Sequence, residues 1–160
     1  MTERTLVLIK PDAIQRDIIG QIITRLERKG LKLVGIKMML LTDDLLETHY
    51  AHLRQREFFP ELRTFMRKTP VIACCWEGVD CVNTVRLACG ITKAREADPG
   101  TIRGDFAMSV QANLVHASDS VETAQEEVKR FFALGEVFEY NDILESFIYT
   151  SQEIGTKEDK

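Results

Sequence analysis

No apolar run in this chain approaches the roughly 20 residues needed to span a bilayer, so no membrane partner is expected. The opening residues, Met-Thr-Glu-Arg-Thr, run straight into a strand-like segment without a signal-peptide pattern. A cytoplasmic location is the expectation. Positive charge is not in surplus: 21 Lys and Arg stand against 25 Asp and Glu, a net charge of −4. That argues against a general polyanion-binding surface, and no nucleic-acid partner is expected. The four cysteines, at 74, 75, 81 and 89, include no C-x-x-C pair. Cys74 and Cys75 lie in an apolar run and read as buried small hydrophobes in a reducing compartment. Glycine cradles for phosphate are missing too, with neither G-x-x-x-x-G-K-S/T nor G-x-G-x-x-G present. A phosphate site here has to be built from a few aimed side chains. Histidine is scarce, with three in all.

What is present is one domain's worth of patterned chain. At 160 residues, 44% hydrophobic and 29% charged, it can bury a substantial core. Residues 1–150 read as a single domain and 151–160 as a polar tail. Thr5 to Ile9 is continuously apolar and suits a central strand buried on both faces. Asp12 or Asp17 is positioned to cap a helix carrying Ile18, Ile22 and Leu26, which Gly30 ends. Leu31 to Leu41 reads as a second strand, with Val34, Ile36, Met38 and Leu40 on one face. Short helical pieces follow from Thr42 to Lys68, opened by Asp43 or Asp44, with Pro60 early in the second. Val71 to Trp76 is a third strand, and Asp80 to Gly90 a helix with Val82, Val85 and Cys89 facing inward. Gly90 to Val110 shows no period, and a loop of that length is usually functional. A short strand, Leu114 to His116, precedes a helix opened by the capping box Asp119-x-x-Glu122. The order predicts an α+β fold: a ferredoxin-like βαββαβ antiparallel sheet with helices on its faces and a helical insertion between strands 2 and 3.

Chemistry concentrates at Asn113-Leu-Val-His116-Ala-Ser118-Asp119-Ser120. A neutral imidazole is nucleophilic near neutrality because its unperturbed pKa is about 6.5. Held where a strand meets a helix, His116 can attack an electrophile without folding back into the core. The string resembles the active-site motif of nucleoside diphosphate kinases. Thr5-Leu-Val-Leu-Ile-Lys10-Pro-Asp12, Phe58-Phe59-Pro60, Arg86 and Pro99-Gly-Thr-Ile-Arg103-Gly-Asp-Phe106 stand where that family has them. The likeness runs from Thr5 to about Tyr149.

The resemblance implies an activity: transfer of the γ-phosphate of a nucleoside triphosphate, mainly ATP, to a nucleoside diphosphate through phosphohistidine on His116. It implies Lys10, Arg86 and Arg103 on the phosphates, with Thr92 as a hydrogen-bond donor. Phe58 and Val110 would flank the base, and stacking on a ring predicts broad base tolerance. Asn113 and Lys10 would meet the sugar, while Glu127 and Ser118 would orient His116, with Tyr50 in support. It implies Mg2+ held mainly by the nucleotide phosphates rather than by protein ligands. The partners are nucleoside di- and triphosphates and further copies of the chain, as a hexamer or a tetramer.

Two positions depart from the pattern. Ala117 stands where the family usually has glycine, and alanine is tolerated if the residue lies in an extended strand. Ala94 stands where many relatives have proline, in a loop tied to subunit contacts. His49 and His52 read as ordinary surface residues. The competing readings are a catalytically silent nucleotide-binding scaffold of the same fold and a hydrolase that passes phosphohistidine to water.

Overall fold

The structure, a computed structural model, describes residues 2–154. Thr2–Ile9 (β1), Lys32–Met39 (β2), Val71–Val79 (β3) and Val115–Ala117 (β4) form one antiparallel sheet in the order β2-β3-β1-β4. This is the ferredoxin-like arrangement, with β1 flanked on both sides. It pairs with β3 from Thr2 opposite Val79 to Ile9 opposite Ile72, and with β4 over Val7–Ile9. Thr5 to Ile9 are wholly buried, as a strand covered on both faces requires.

Side-chain alternation along β1 divides the core into two layers. Val7 and Ile9 pack with Ile22, Leu26, Trp76 and Val85, which come from Ile19–Arg28 (α2, after the short Pro11–Gln15, α1), β3 and Cys81–Cys89 (α5). Leu6 and Leu8 face the other way, onto Leu46, Phe59, Leu62, Met66 and Phe131. Those belong to Asp43–His49 (α3), Phe59–Met66 (α4) and Val121–Phe131 (α7). All four cysteines are free and buried.

Strand β2 corrects the expected alternation. A bulge between Leu33 and Gly35 adds a residue, so Val34 is buried while Ile36, Met38 and Leu40 are 50%, 60% and 67% exposed. The expected common face is therefore split, and its larger part is a bare apolar stripe on the sheet edge.

Several helix starts also differ from expectation. Asp12 and Asp17 cap neither helix: Lys10 and Ile18 occupy the two N-cap positions without a side-chain capping bond. Thr42, not Asp43 or Asp44, caps α3 by accepting from the Leu45 N–H. Asp80 sits at the start of α5 in a left-handed conformation without a side-chain cap, and the Glu3 carboxylate accepts from the Val82 N–H instead. Ser120, one residue after the expected Asp119, caps α7 through the Thr123 N–H. The expected loop from Gly90 to Val110 contains a 3-10 turn, Ala94–Glu96, and a short helix, Ile102–Phe106 (α6), capped by Thr101.

The described residues end in two short helices, Glu145–Ile148 (α8) and Ser151–Ile154 (α9). The tail expected over 151–160 thus starts as a helix, and its residues 155–160 lie outside the described residues. No described helix is long and apolar enough to cross a membrane.

Candidate active site

His116 lies in β4 opposite Leu8, so the fully buried end of the central strand β1 holds its backbone. The approach to β4 is pinned unusually. Leu114 adopts a left-handed conformation with φ +75° while fully buried, a geometry costly for a residue with a Cβ. Its N–H donates to Asp12 Oδ2 at 3.0 Å, and its carbonyl accepts from the Lys10 N–H at 2.8 Å. Asp12 therefore anchors the strand that carries His116. Ala117 sits in the extended strand with no positive φ, as alanine there requires.

The imidazole is held from one side. Its Nε2 lies 3.0 and 3.2 Å from the two carboxylate oxygens of Glu127 on α7. Ser118, fully buried, donates its hydroxyl to Glu127 Oε2 at 2.6 Å and accepts from the Leu6 N–H at 3.4 Å. Burial by itself would raise the Glu127 carboxyl. The hydrogen bond and charge of His116, with His49 and Ser118, hold it below the ordinary carboxylate value instead. In the neutral ring, an ionised Glu127 fixes the one proton on Nε2, which leaves the lone pair on Nδ1. Among the described residues Nδ1 forms no hydrogen bond.

His116 opens onto a cleft of about 1130 Å³. Lys10, Tyr50, Phe58, Arg86, Thr92, Arg103, Val110, Asn113 and Glu127, all anticipated from the sequence, line it as well. Of the anticipated set only Ser118 lies behind the wall. Phe58 and Val110 are half-exposed, whereas Phe59 is buried in the core. Tyr50 is buried at the end of α3, its ring centroid 5.9 Å from that of His116.

The cations are more constrained than a simple phosphate clamp would need. Lys10 Nζ donates to Asn113 Oδ1 at 2.8 Å and to the Gln111 carbonyl. Burial draws its ammonium down to about 8, with Asp12 opposing and Arg103 assisting. Arg103 donates to the carbonyls of Gly90, Asn113 and Val115 at 2.6, 3.3 and 2.7 Å. It thus stitches both ends of the 90–115 segment together while facing the cleft. Asn113 Nδ2 donates to the Thr92 carbonyl at 3.1 Å, and Arg86 pairs with Asp119. Gly104 lets this loop close: a Cβ there would fall 2.0 Å from the Asp98 carbonyl oxygen.

His49 was expected at the surface and is not. It is 5% exposed, with its ring centroid 4.5 Å from that of His116 and Nδ1 3.5 Å from Glu127 Oε1. Its spacing was a usable signal, since three residues after the apolar Leu46 is the inner face of a helix. Arg130, on the same helix as Glu127, also lines the cleft and was missed.

A family model described as nucleoside diphosphate kinase matches residues 3–137. The chain is 56% identical over 138 residues to a nucleoside diphosphate kinase of Parabacteroides distasonis, covering 86% of this chain and 90% of the other. It is 45% identical over 147 residues to human nucleoside diphosphate kinase A, covering 92% and 97%. A halophilic nucleoside diphosphate kinase from Halobacterium salinarum, solved in complex with CDP, superposes with a TM-score of 0.91 at 41% identity, covering 93% of this chain and 99% of that one. Sequence, fold and the cleft around His116 therefore agree: the chain belongs to the nucleoside diphosphate kinase family.

Proposed function

We propose that this phosphotransferase works through His116 Nδ1, which attacks the terminal phosphorus of a bound nucleoside triphosphate, mainly ATP. The N–P bond forms as the bond to the bridging oxygen breaks, and the nucleoside diphosphate leaves with the electron pair. A second nucleoside diphosphate enters the same cleft, and its terminal oxygen takes the phosphoryl group back. One observation carries this reading: Glu127 occupies Nε2 and leaves Nδ1 bare on a cleft-lining imidazole. The ring becomes cationic when phosphorylated, and the adjacent carboxylate stabilises that charge.

Lys10, Arg86 and Arg103 would face the phosphates, with Thr92 donating a hydrogen bond. Opposite charges about 4 Å apart gain roughly 4 kcal/mol at an effective dielectric of about 20, against about 1 in water. Three cations in a cleft thus offset much of a triphosphate's self-repulsion, and phosphoryl transfer asks chiefly for such positioning and charge. Phe58 and Val110 would flank the base and Asn113 would meet the sugar, with Tyr50 supporting the His116 side. Mg2+ would arrive on the phosphates. Among the described residues the one cluster of potential ligand atoms is His49, His116 and Glu127, and its two nitrogens suit magnesium poorly. The ion would neutralise charge between the phosphates.

The reading extends to assembly as a homo-oligomer, a hexamer or a tetramer. Edge strand β2 is covered at Leu33 and Val34, whose carbonyls accept from Tyr140 and Phe138. Beyond them Ile36, Met38 and Leu40 are bare, and an apolar edge of this kind is normally covered by another chain. Four reduced, buried cysteines fit a cytoplasmic location.

Incubation with ATP labelled at the γ-phosphate, followed by a GDP chase, tests the mechanism. An acid-labile, base-stable label should form and leave as GTP, and His116→Gln should bind nucleotide without taking up label. A His116→Gln chain that turns over normally would overturn the assignment.

A further inference from the structure

His49 and Arg130 have no part in the chemistry above, yet both line the cleft. His49 sits at the junction of α3 and α7. Its ring meets those of His116, Tyr50 and Phe131 edge-on, at centroid distances of 4.5, 4.6 and 5.0 Å. Its Nδ1 is 3.5 Å from Glu127 Oε1 and 3.3 Å from Arg130 Nη1. Arg130 follows Glu127 by three residues on α7, a spacing at which an arginine and a glutamate ordinarily pair. They do not pair here. Among the described residues no carboxylate lies within ion-pairing distance of Arg130, and its guanidinium ends against the His49 ring nitrogen.

His49, His116 and Glu127 also have the spacing of a two-histidine, one-carboxylate metal site. The guanidinium beside His49 Nδ1 blocks that approach and repels a divalent cation, so the cluster is better explained without one.

We propose that His49 is a positioning residue that intercepts Arg130 and so reserves the Glu127 carboxylate for His116. The inference rests on the phosphohistidine mechanism above. An arginine that reached Glu127 would form a charge-assisted, often bidentate pair and claim the oxygens that now face Nε2. The Nε2–H bond would weaken, the Nδ1 lone pair would become less nucleophilic, and the phosphorylated ring would lose its counter-charge. The interceptor has to be uncharged, because a cationic His49 would itself compete for Glu127. Burial favours that state and lowers the ring to about 3; His116, Arg130 and His52 act in the same direction, and Glu127 opposes. In this mechanism Glu127 does not touch nucleotide, so the loss should fall on turnover and leave nucleotide binding alone.

The test is a set of variants assayed beside the wild-type chain for kcat and for KM of ATP. His49→Phe keeps the ring but removes the acceptor, and should lower kcat about tenfold with KM unchanged. His49→Gln keeps an acceptor for Arg130 and should recover most of that loss. Arg130→Ala alone should match wild type, and added to His49→Phe it should restore turnover. His49→Leu with the same second change serves should the phenyl ring not be accommodated. A His49→Phe chain with normal kcat overturns the proposal. So does one that stays slow when Arg130 is alanine, since a purely structural defect is not repaired by deleting a neighbouring charge. A wild-type chain that takes up no label would instead remove the underlying mechanism.

Discussion

Lys10 carries a consequence of burial that can be read in solution. Its ammonium is nearly enclosed, and burial brings it to about 8 from an ordinary 10.5. In the free protein the cation is therefore lost as pH rises through about 8, and only the cation attracts phosphate. The pH dependence of kcat/KM reports groups of the free enzyme. It should fall above about pH 8, approaching a tenfold loss per pH unit if this single proton governs binding. Lys10→Arg keeps its charge in this range and should hold the slope flat there, although its planar head will not reproduce the bond to Asn113. An unchanged alkaline limb in that variant would assign the limb to another group.

Among elements, β2 shows where local pattern stops being informative. Val34, Ile36, Met38 and Leu40 alternate perfectly in sequence, yet the bulge after Leu33 turns Val34 inward and leaves the others outside. One inserted residue reverses a strand's faces, and its local mark is the isolated Gly35 beside the bulge, which the alternation of the larger residues masks. Helix starts were missed for a related reason. Asp119 and Ser120 are both good caps, and only backbone geometry decides that Ser120 accepts the Thr123 N–H. The strands, by contrast, were legible, because Thr5 to Ile9 and Val71 to Trp76 are runs too apolar to lie anywhere but in the core. The exposed stripe makes a prediction at this scale. Met38→Lys should dissociate a β2-mediated assembly, read as a fall in mass by light scattering, while the subunit keeps its fold because residue 38 is 60% exposed. An oligomer of unchanged mass would move the interface elsewhere.

At the scale of the whole molecule, the site was legible where a string of residues carries it and illegible where two distant elements meet. His116, Lys10 and Arg103 stand in distinctive strings. The burial of His49 was legible in its spacing to Leu46, but its place beside His116 depends on α3 meeting α7 on one face of the sheet, which no string encodes. That contact couples the active site to global stability. His49 is neutral when folded, near 3 through burial, and near 6.5 when unfolded. Between those values the unfolded chain binds the extra proton, so stability rises with pH across the window and falls as acid is added. The slope from one such group is at most about 1.4 kcal/mol per pH unit. Glu127, held below its ordinary 4.5, adds a second loss of the same sign at lower pH. The two separate by variant. Urea midpoints of the wild-type chain should fall from about pH 6.5 downward, whereas His49→Phe should stay flat to about pH 5 and decline only where Glu127 and the other carboxylates begin to protonate. Overlapping curves between those two pH values would mean that the ring takes up its proton without unfolding the chain. His49 would then be a reporter of solvent entry into the cleft instead of a sealed wall behind His116.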